Sequence, residues 1–463
     1  MARGSGGGVP VSRAEYESRV AALRKQFADL PAGAPVRLRK ATSNLFRPRA
    51  AAGQLLDAGP FTGVLAVDTA ARTADVLGMT TYRDLVEATL PHGLAPLVVP
   101  QLKTITLGGA VTGLGIESAS FRNGLCHESV LDMDVLTGDG RVLTATPDGE
   151  HQALFRGFPN SYGTLGYALR LRIELEPVLP FVHLRHLRFG GAQACAAEIE
   201  RICACGGHGG ERVDFLDGTW FARGECYLTV GRFTAAAPRT SDYTGQQIYY
   251  RSIQQRGEDW LTTRDYLWRW DTDWFWCSRA FGAQHPVLRR LWPRRWRRSD
   301  VYWRLVAAER RFGAKRWLDR RRGMPEREEV VQDIEVPVSR LAEFLDFLHA
   351  RTGIAPVWLC PLRQRDPGAT WELYPLDPAA TYVNVGFWST VPLPPGCGDG
   401  WHNRAIEAKV AELGGRKSLY STAFYPAEEF WASYGGPAYE VLKKTYDPAG
   451  RLLDLYAKTV RRS

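Results

Sequence analysis

The residues with the clearest chemical potential form one run, Pro100-Gln-Leu-Lys-Thr-Ile-Thr-Leu-Gly108-Gly109-Ala-Val-Thr-Gly113-Leu-Gly115-Ile-Glu117-Ser118-Ala-Ser120, closing on Asn123-Gly124. Its glycines let the backbone approach a ligand closely and offer successive N–H groups as an anion nest. The Thr and Ser residues between them add hydroxyls for phosphate oxygens. A pyrophosphate fits that description, and a Gly-rich surface loop is the plain alternative. Rossmann spacing is not met: Ser118 stands where the third glycine belongs, and no acidic ribose partner follows on a second strand. A P-loop is excluded because no Gly-Lys-Ser/Thr ending exists. Glu117 is read as an acceptor for a ribose hydroxyl, and His127 as structural. The eight Cys show no CxxC pair and no His at metal-ligand spacing, so free thiols and no metal are expected.

These residues need a scaffold, and 463 residues with 45% hydrophobic and 24% charged side chains predict two soluble domains. No apolar run is long enough to span a bilayer, and the Gly/Ser-rich start lacks a signal-peptide core, so a cytoplasmic chain is expected. Ser12 and Glu15 predict a capped helix to about residue 28. Short β-type runs follow at 36–40, 63–68 and 73–77, then a helix at 82–90. Past the Gly-rich run come strands at 131–136, 142–146 and 168–176. From residue 181 the order strand, helix (192–203), strand (211–216), strand (225–233) is repeated as strand (330–336), helix (339–351), strand (356–362), strand (381–388), with a helix at 403–413. Two such βαββ halves predict an antiparallel sheet covered on one side by helices.

The order Pro, Gly-Gly, Gly-x-Gly, Ser-x-Ser and a later Gly resembles the dinucleotide-cradling loop of the vanillyl-alcohol-oxidase (PCMH-type) flavoproteins. Gly163-Thr-Leu-Gly166 resembles that family's second Gly-x-x-Gly element, and Tyr446-Asp447-Pro448 its C-terminal return. Within the superfamily, Gly113-Leu-Gly-Ile-Glu-Ser-Ala-Ser120, Val330-Val-Gln-Asp-Ile-Glu-Val-Pro337 and Pro356-Val-Trp-Leu-Cys-Pro361 are similar to the delta-24-sterol reductases. The resemblance implies an α+β fold, with a two-subdomain FAD-binding domain at 31–178 after a tail and helix at 1–30. A substrate domain with a basic, Trp-rich insertion (260–322) is implied at 179–425, and a return to the FAD domain at 426–463. It also implies FAD held by Thr42, Ser43, Asn44, Pro100, Gln101, Thr104, Thr106, Gly108, Gly109, Gly113, Gly115, Glu117, Ser118, Ser120, Gly124, Gly163 and Gly166. The loop at 40–47 and the run 100–107 contain no His or Cys, so the FAD is expected to be non-covalent.

Reducing a carbon–carbon double bond takes a hydride from the flavin and a proton from a general acid. Tyr420 and Lys417, in a segment that aligns with the family's flavin-contacting strand, are the catalytic candidates. Asp333 and Glu335 alternate on a strand and are read as exposed-face residues. Nine of the fifteen Trp lie between 260 and 317, and fourteen Lys/Arg against three acids lie between 289 and 322, in a chain of net charge +9. Trp with Arg suits an anionic membrane surface better than nucleic-acid bases. A Trp-rich lid core with a solvated basic face is the alternative. Sterol-reductase relatives in high-GC actinobacteria reduce the methylene branch of a phospholipid-bound fatty acyl chain, which implies a lipid alkene as substrate, NADPH as electron donor and a peripheral position at the cell membrane. A sterol-type reductase, an FAD oxidase or dehydrogenase of a sugar, alcohol or hydroxy acid, and a flavin-free lipid- or nucleic-acid-binding protein remain open at this point.

Overall fold

The computed structural model describes residues 11–40, 46–47, 53–312 and 321–460. The N-terminal helix Arg13–Ala28 begins where the Ser12 side chain accepts from Glu15 N. Its Tyr16, Leu23 and Phe27 share a core with Leu136, Tyr167 and Leu169 of the first large sheet. That sheet pairs Val64–Asp68, Thr73–Leu77, Gly166–Pro177, Val130–Thr137 and Val142–Ala145 in that order, with Leu94–Pro96 on the end of the long strand. All pairings are antiparallel, and strands and helices match the sequence reading to within a few residues.

The Gly-rich run is more ordered than an open loop. It forms a short helix, Leu107–Thr112, capped by Thr106, and a second turn at Ser120–Asn123. Gly108 is needed because the helix touches the sheet: Gly108 N donates to Gly78 O at 2.9 Å, and a Cβ on Gly108 would lie 2.8 Å from that oxygen.

The second sheet has eight strands among the described residues, in the order Glu258–Thr262, Phe181–Phe189, Glu225–Thr234, Phe215–Ala222, Val357–Leu362, Tyr382–Pro392, Arg327–Pro337, Arg416–Lys417. The two βαββ halves meet at the centre, where Gly218 pairs with Leu359. Helices Ala192–Cys205, Leu341–Thr352 and Trp401–Glu412 bury Ile199, Phe344 and Ile406 against Leu216, Ile334 and Val385, so one face of the sheet is covered by helices. The fold is α+β. One boundary differs from expectation: Glu211–Arg212 belongs to a small hairpin, and the strand proper is Phe215–Ala222. The sheet's other face is also covered. Trp268, Trp270, Trp274, Phe275 and Trp276 are buried in the same core as Trp358 and the residues of the first sheet.

Candidate active site

A cavity of about 520 Å³ runs between the two sheets. Its lining combines basic residues (Arg37, Lys40, Lys458), Thr104, Thr106 and Thr112 with the glycines, and a set of aromatic and acidic side chains, Trp274, Phe275, Trp358, Trp388, Tyr420 and Asp333. Of the residues expected to hold a cofactor, Pro100, Gln101, Thr104, Thr106, Gly108, Gly109, Gly113, Gly115, Gly163 and Gly166 are brought together in its wall. Thr42, Ser43 and Asn44 lie outside the described residues.

Four expected cofactor ligands are placed elsewhere. Glu117 is buried in an ion pair with Arg269 at 2.6 Å, and Arg269 also binds Asp217 at 2.9 Å. Trp270 and Trp358 both donate their indole N–H to that Asp217, each at 3.2 Å. Ser118 Oγ bonds the Tyr266 hydroxyl at 2.8 Å, and Ser120 Oγ accepts from Glu117 N at 3.1 Å. Gly124 adopts φ +70° against the Glu128 side chain. The ribose reading of Glu117 is therefore corrected: its carboxylate ties the end of the Gly-rich run to the second sheet and to the Trp-rich segment, because a buried guanidinium requires counter-charges.

The anion nest is also corrected in detail. The N–H groups of Leu107, Gly108, Gly109 and Ala110 already donate to Thr80 O, Gly78 O, Thr106 Oγ1 and Thr106 O. The side-chain hydroxyls and basic residues of the cavity wall remain suited to a pyrophosphate. Local backbone conformation also marks the site. Leu114, Tyr162, Trp274 and Phe275 line the cavity with φ of 59°, 49°, 46° and 58°, a region non-glycine residues seldom adopt and which tends to collect at functional sites.

Of the catalytic candidates, the cavity receives Tyr420 and not Lys417. Tyr420 is half-buried at the wall; its oxygen accepts from Trp388 Nε1 at 3.0 Å, and its ring meets Phe46 edge-on. Burial and the neighbouring Asp333 carboxyl push its hydroxyl pKa far up. Lys417 pairs with Ile334, whose side chain is in the helix-covered core, and its Nζ donates to Glu407 Oε1 at 2.6 Å and Thr422 O at 2.7 Å. The expectation that Lys417 faces the cofactor is corrected: an ammonium with 0% side-chain exposure is held by a carboxylate behind the sheet.

Asp333 and Glu335, read as exposed-face residues, line the cavity instead. They sit two residues apart on Arg327–Pro337, so they share the face turned away from the helices. Burial pushes the Asp333 carboxyl up to about 7, against hydrogen bonds from Asn384 and Tyr420 that favour its charge. Glu335 is pushed up to about 8, first by burial and further by the Asp333 charge, while the Tyr374 hydroxyl donates to it. Alternation along the strand was the available signal. It was misread because the second face of the sheet was taken to be solvent.

Comparison with known proteins agrees with this geometry. Residues 10–146 match the FAD binding domain family. The chain is 24% identical to a delta(24)-sterol reductase of Arabidopsis thaliana, covering 87% of this chain and 76% of that protein. It is 26% identical to the delta(24)-sterol reductase of Homo sapiens, over 85% and 75%. A 31% identical stretch of cytokinin dehydrogenase 5 of Arabidopsis thaliana covers 31% of this chain. The cavity fits FAD by independent observations. The Gln101 Nε2 donor and Asn384 Oδ1 acceptor are buried in lining residues without a protein partner among the described residues, and the lining joins basic and hydroxyl-bearing residues to aromatic ones. Among the described residues the lining holds neither His nor Cys for a covalent tether. Among the described residues no cluster of metal-ligating side chains exists and no helix is long and apolar enough to cross a membrane.

Proposed function

We propose that this chain, an FAD-dependent oxidoreductase, reduces an isolated carbon–carbon double bond in a lipid, with NADPH as electron donor. The favoured substrate is the methylene branch of a phospholipid-bound fatty acyl chain. The observation that carries the reading is the aromatic part of the cavity lining. Phe46, Trp274, Phe275, Trp358 and Trp388 supply an apolar wall for a hydrocarbon, and proton-bearing Tyr420, Asp333 and Glu335 are set into it. Similarity to sterol reductases across most of the chain supports the same chemistry, whereas the cytokinin dehydrogenase match covers too little of the chain to bear on substrate.

When bound, FAD supplies the hydride. The chain's residues seat the cofactor with the Gly-rich run and the basic residues of the lining, exclude water with the aromatic wall, and hold a proton at the Tyr420 hydroxyl. A sterol with a side-chain alkene is the second candidate substrate. Tyr420→Phe tests the proton's route: it is expected to retain FAD and be reduced by NADPH at the native rate, but to reduce the alkene roughly a hundredfold more slowly or worse. Stopped-flow records of the two half-reactions, with the phospholipid in one arm and the sterol in the other, identify the substrate. Native rates in both half-reactions for Tyr420→Phe would remove Tyr420 from the reaction.

The chain is further proposed to work at an anionic membrane surface. Val287, Leu288, Leu291, Trp296 and Leu305 are exposed large hydrophobics within one short stretch, interleaved with exposed Arg290, Arg294, Arg295 and Arg304. The helix Ser299–Phe312 belonging to that stretch also carries Trp303, whose ring packs on Phe46 of the cavity wall at 5.0 Å. The docking face and the aromatic part of the cavity lining are thus neighbours, as extraction of a lipid chain requires.

A further inference from the structure

We propose that Asp333 is the proton reservoir of the reaction and that the alkene receives its proton through a relay, Asp333 to Tyr420 to carbon. This rests on the reductase reading above. An isolated alkene carries no electron-withdrawing group, so hydride cannot add first, and protonation must lead or accompany it. A phenol whose ionisation is suppressed by burial is a poor acid for that task. If a neutral carboxylic acid replaces the proton in the same step, the phenol enters and leaves the reaction uncharged, and the net donor is the stronger acid.

The geometry provides this arrangement. Asp333 and Tyr420 line the same cavity close enough to shift each other's ionisation, and the Tyr420 oxygen accepts from Trp388 Nε1 at 3.0 Å. With Asp333 protonated, both acceptor positions of the phenol oxygen are filled, by Asp333 O–H and by Trp388 N–H, which leaves the phenol's own hydrogen for the cavity. Gly386, the residue opposite Asp333, makes room for the acid, since a Cβ there would lie 2.4 Å from Asp333 Oδ1. Asn384 Nδ2 reaches that same oxygen at 3.4 Å.

Burial keeps Asp333 neutral against the hydrogen bonds of Asn384 and Tyr420. On its own strand stands Glu335, which is bound by Tyr374; from the next strands come Asn384, Trp388 and Cys360, whose thiol burial holds protonated. From the other side come Ser418, Tyr420 and Tyr162, which share the cavity wall. Arg47 lies over the Tyr162 ring at 5.3 Å and donates to the carbonyls of Leu419 and Lys458. No salt bridge to Asp333 or Glu335 occurs among the described residues, and burial accordingly pushes Asp333 up to about 7. In each turnover the Asp333 O–H bond breaks and a C–H bond forms at one alkene carbon. The hydride drawn from NADPH by way of the cofactor forms the other C–H bond, and the carboxylate regains a proton from water.

The test uses the FAD-loaded protein under anaerobic conditions with a dispersed phospholipid bearing a methylene-branched acyl chain. Asp333→Asn keeps the shape and removes the acid. It is expected to be reduced by NADPH at the native rate, and to reduce the alkene about a hundredfold more slowly or worse. The native alkene step should decline as pH rises through about 7, and so should that of Glu335→Gln; the Asp333→Asn remnant should lose this limb. Independently of turnover, the infrared C=O absorption of protonated carboxyls titrating in that range should lose one component in Asp333→Asn, with those of Glu335 and Glu128 remaining. A native alkene rate in Asp333→Asn, or an absorption there undiminished from that of the native protein, overturns the proposal. Failure of the underlying reading has a different signature: the native protein is reduced by NADPH yet leaves both lipid probes unchanged, and the relay falls with it.

Discussion

Asp333 and Glu335 hold protons that carboxyls in water would have lost, and the cost falls on stability. Their folded values, about 7 and about 8, lie above the ordinary 3.8 and 4.5. Between the ordinary and the raised values the folded protein binds more protons than the unfolded chain, so these groups stabilise least at high pH, and stability falls as pH rises through that window. The melting temperature of the FAD-loaded protein should fall from about pH 5 to about pH 8, and less steeply in Asp333→Asn/Glu335→Gln. Equal slopes in native and variant protein would show that the two carboxyls are not protonated in the fold. Glu128, also pushed up to about 7, adds a background fall in both. At this scale the sequence was legible in which residues come to the cavity wall, as with Thr104, Thr106, Gly108, Gly109 and Gly113, and not in the nest role expected of their N–H groups. It was not legible where the role depends on what covers a surface. Lys417 and Asp333 lie on adjoining strands of one sheet, and only the structure shows that Lys417 turns to the helices and Asp333 to the cavity.

Among elements, the junction of the Gly-rich run, the second sheet and the Trp-rich segment is a single buried cation between two carboxylates. Arg269 and Glu117 have 0% and 3% side-chain exposure, and Arg269 lies 4.0 Å from the Tyr266 ring centroid. Arg269→Met should leave Glu117 and Asp217 uncompensated and cost about 3–5 kcal/mol in denaturant unfolding, with loss of FAD as the cavity wall loosens. A loss within about 0.5 kcal/mol, the range of an ordinary surface change, would mean the junction is not held this way. The βαββ halves were legible because period-two strands alternate with helical patterns. The link through Arg269 was not, since residues 117, 217 and 269 are brought together by tertiary packing alone. The Trp-rich segment divides similarly. Trp268, Trp270, Trp274 and Trp276 are core, and only Trp296 of the segment's described Trp residues is a large exposed one.

For the whole molecule, the basic excess also sorts into two kinds. Arg289 is buried against Asp273 at 2.6 Å, and Arg297 is buried among the carbonyls of Thr244, Gly245 and Trp292, so neither is available to a membrane. Charge reversal of Arg290, Arg294 and Arg295, or Leu291→Asp, should weaken sedimentation with anionic vesicles, and raised salt should weaken that of the native protein. Vesicle binding indifferent to all three treatments would leave the exposed stretch without a membrane role. That the cavity joins FAD to a lipid alkene is the proposal on which the others depend. Its most direct test is to reduce the FAD-loaded protein with NADPH without oxygen, add the methylene-branched phospholipid, and follow the flavin absorbance together with the mass of the lipid. Oxidised flavin is expected to return as the lipid gains one hydride and one proton; flavin that stays reduced with lipid unchanged, and reoxidises only when air is admitted, would overturn the proposal.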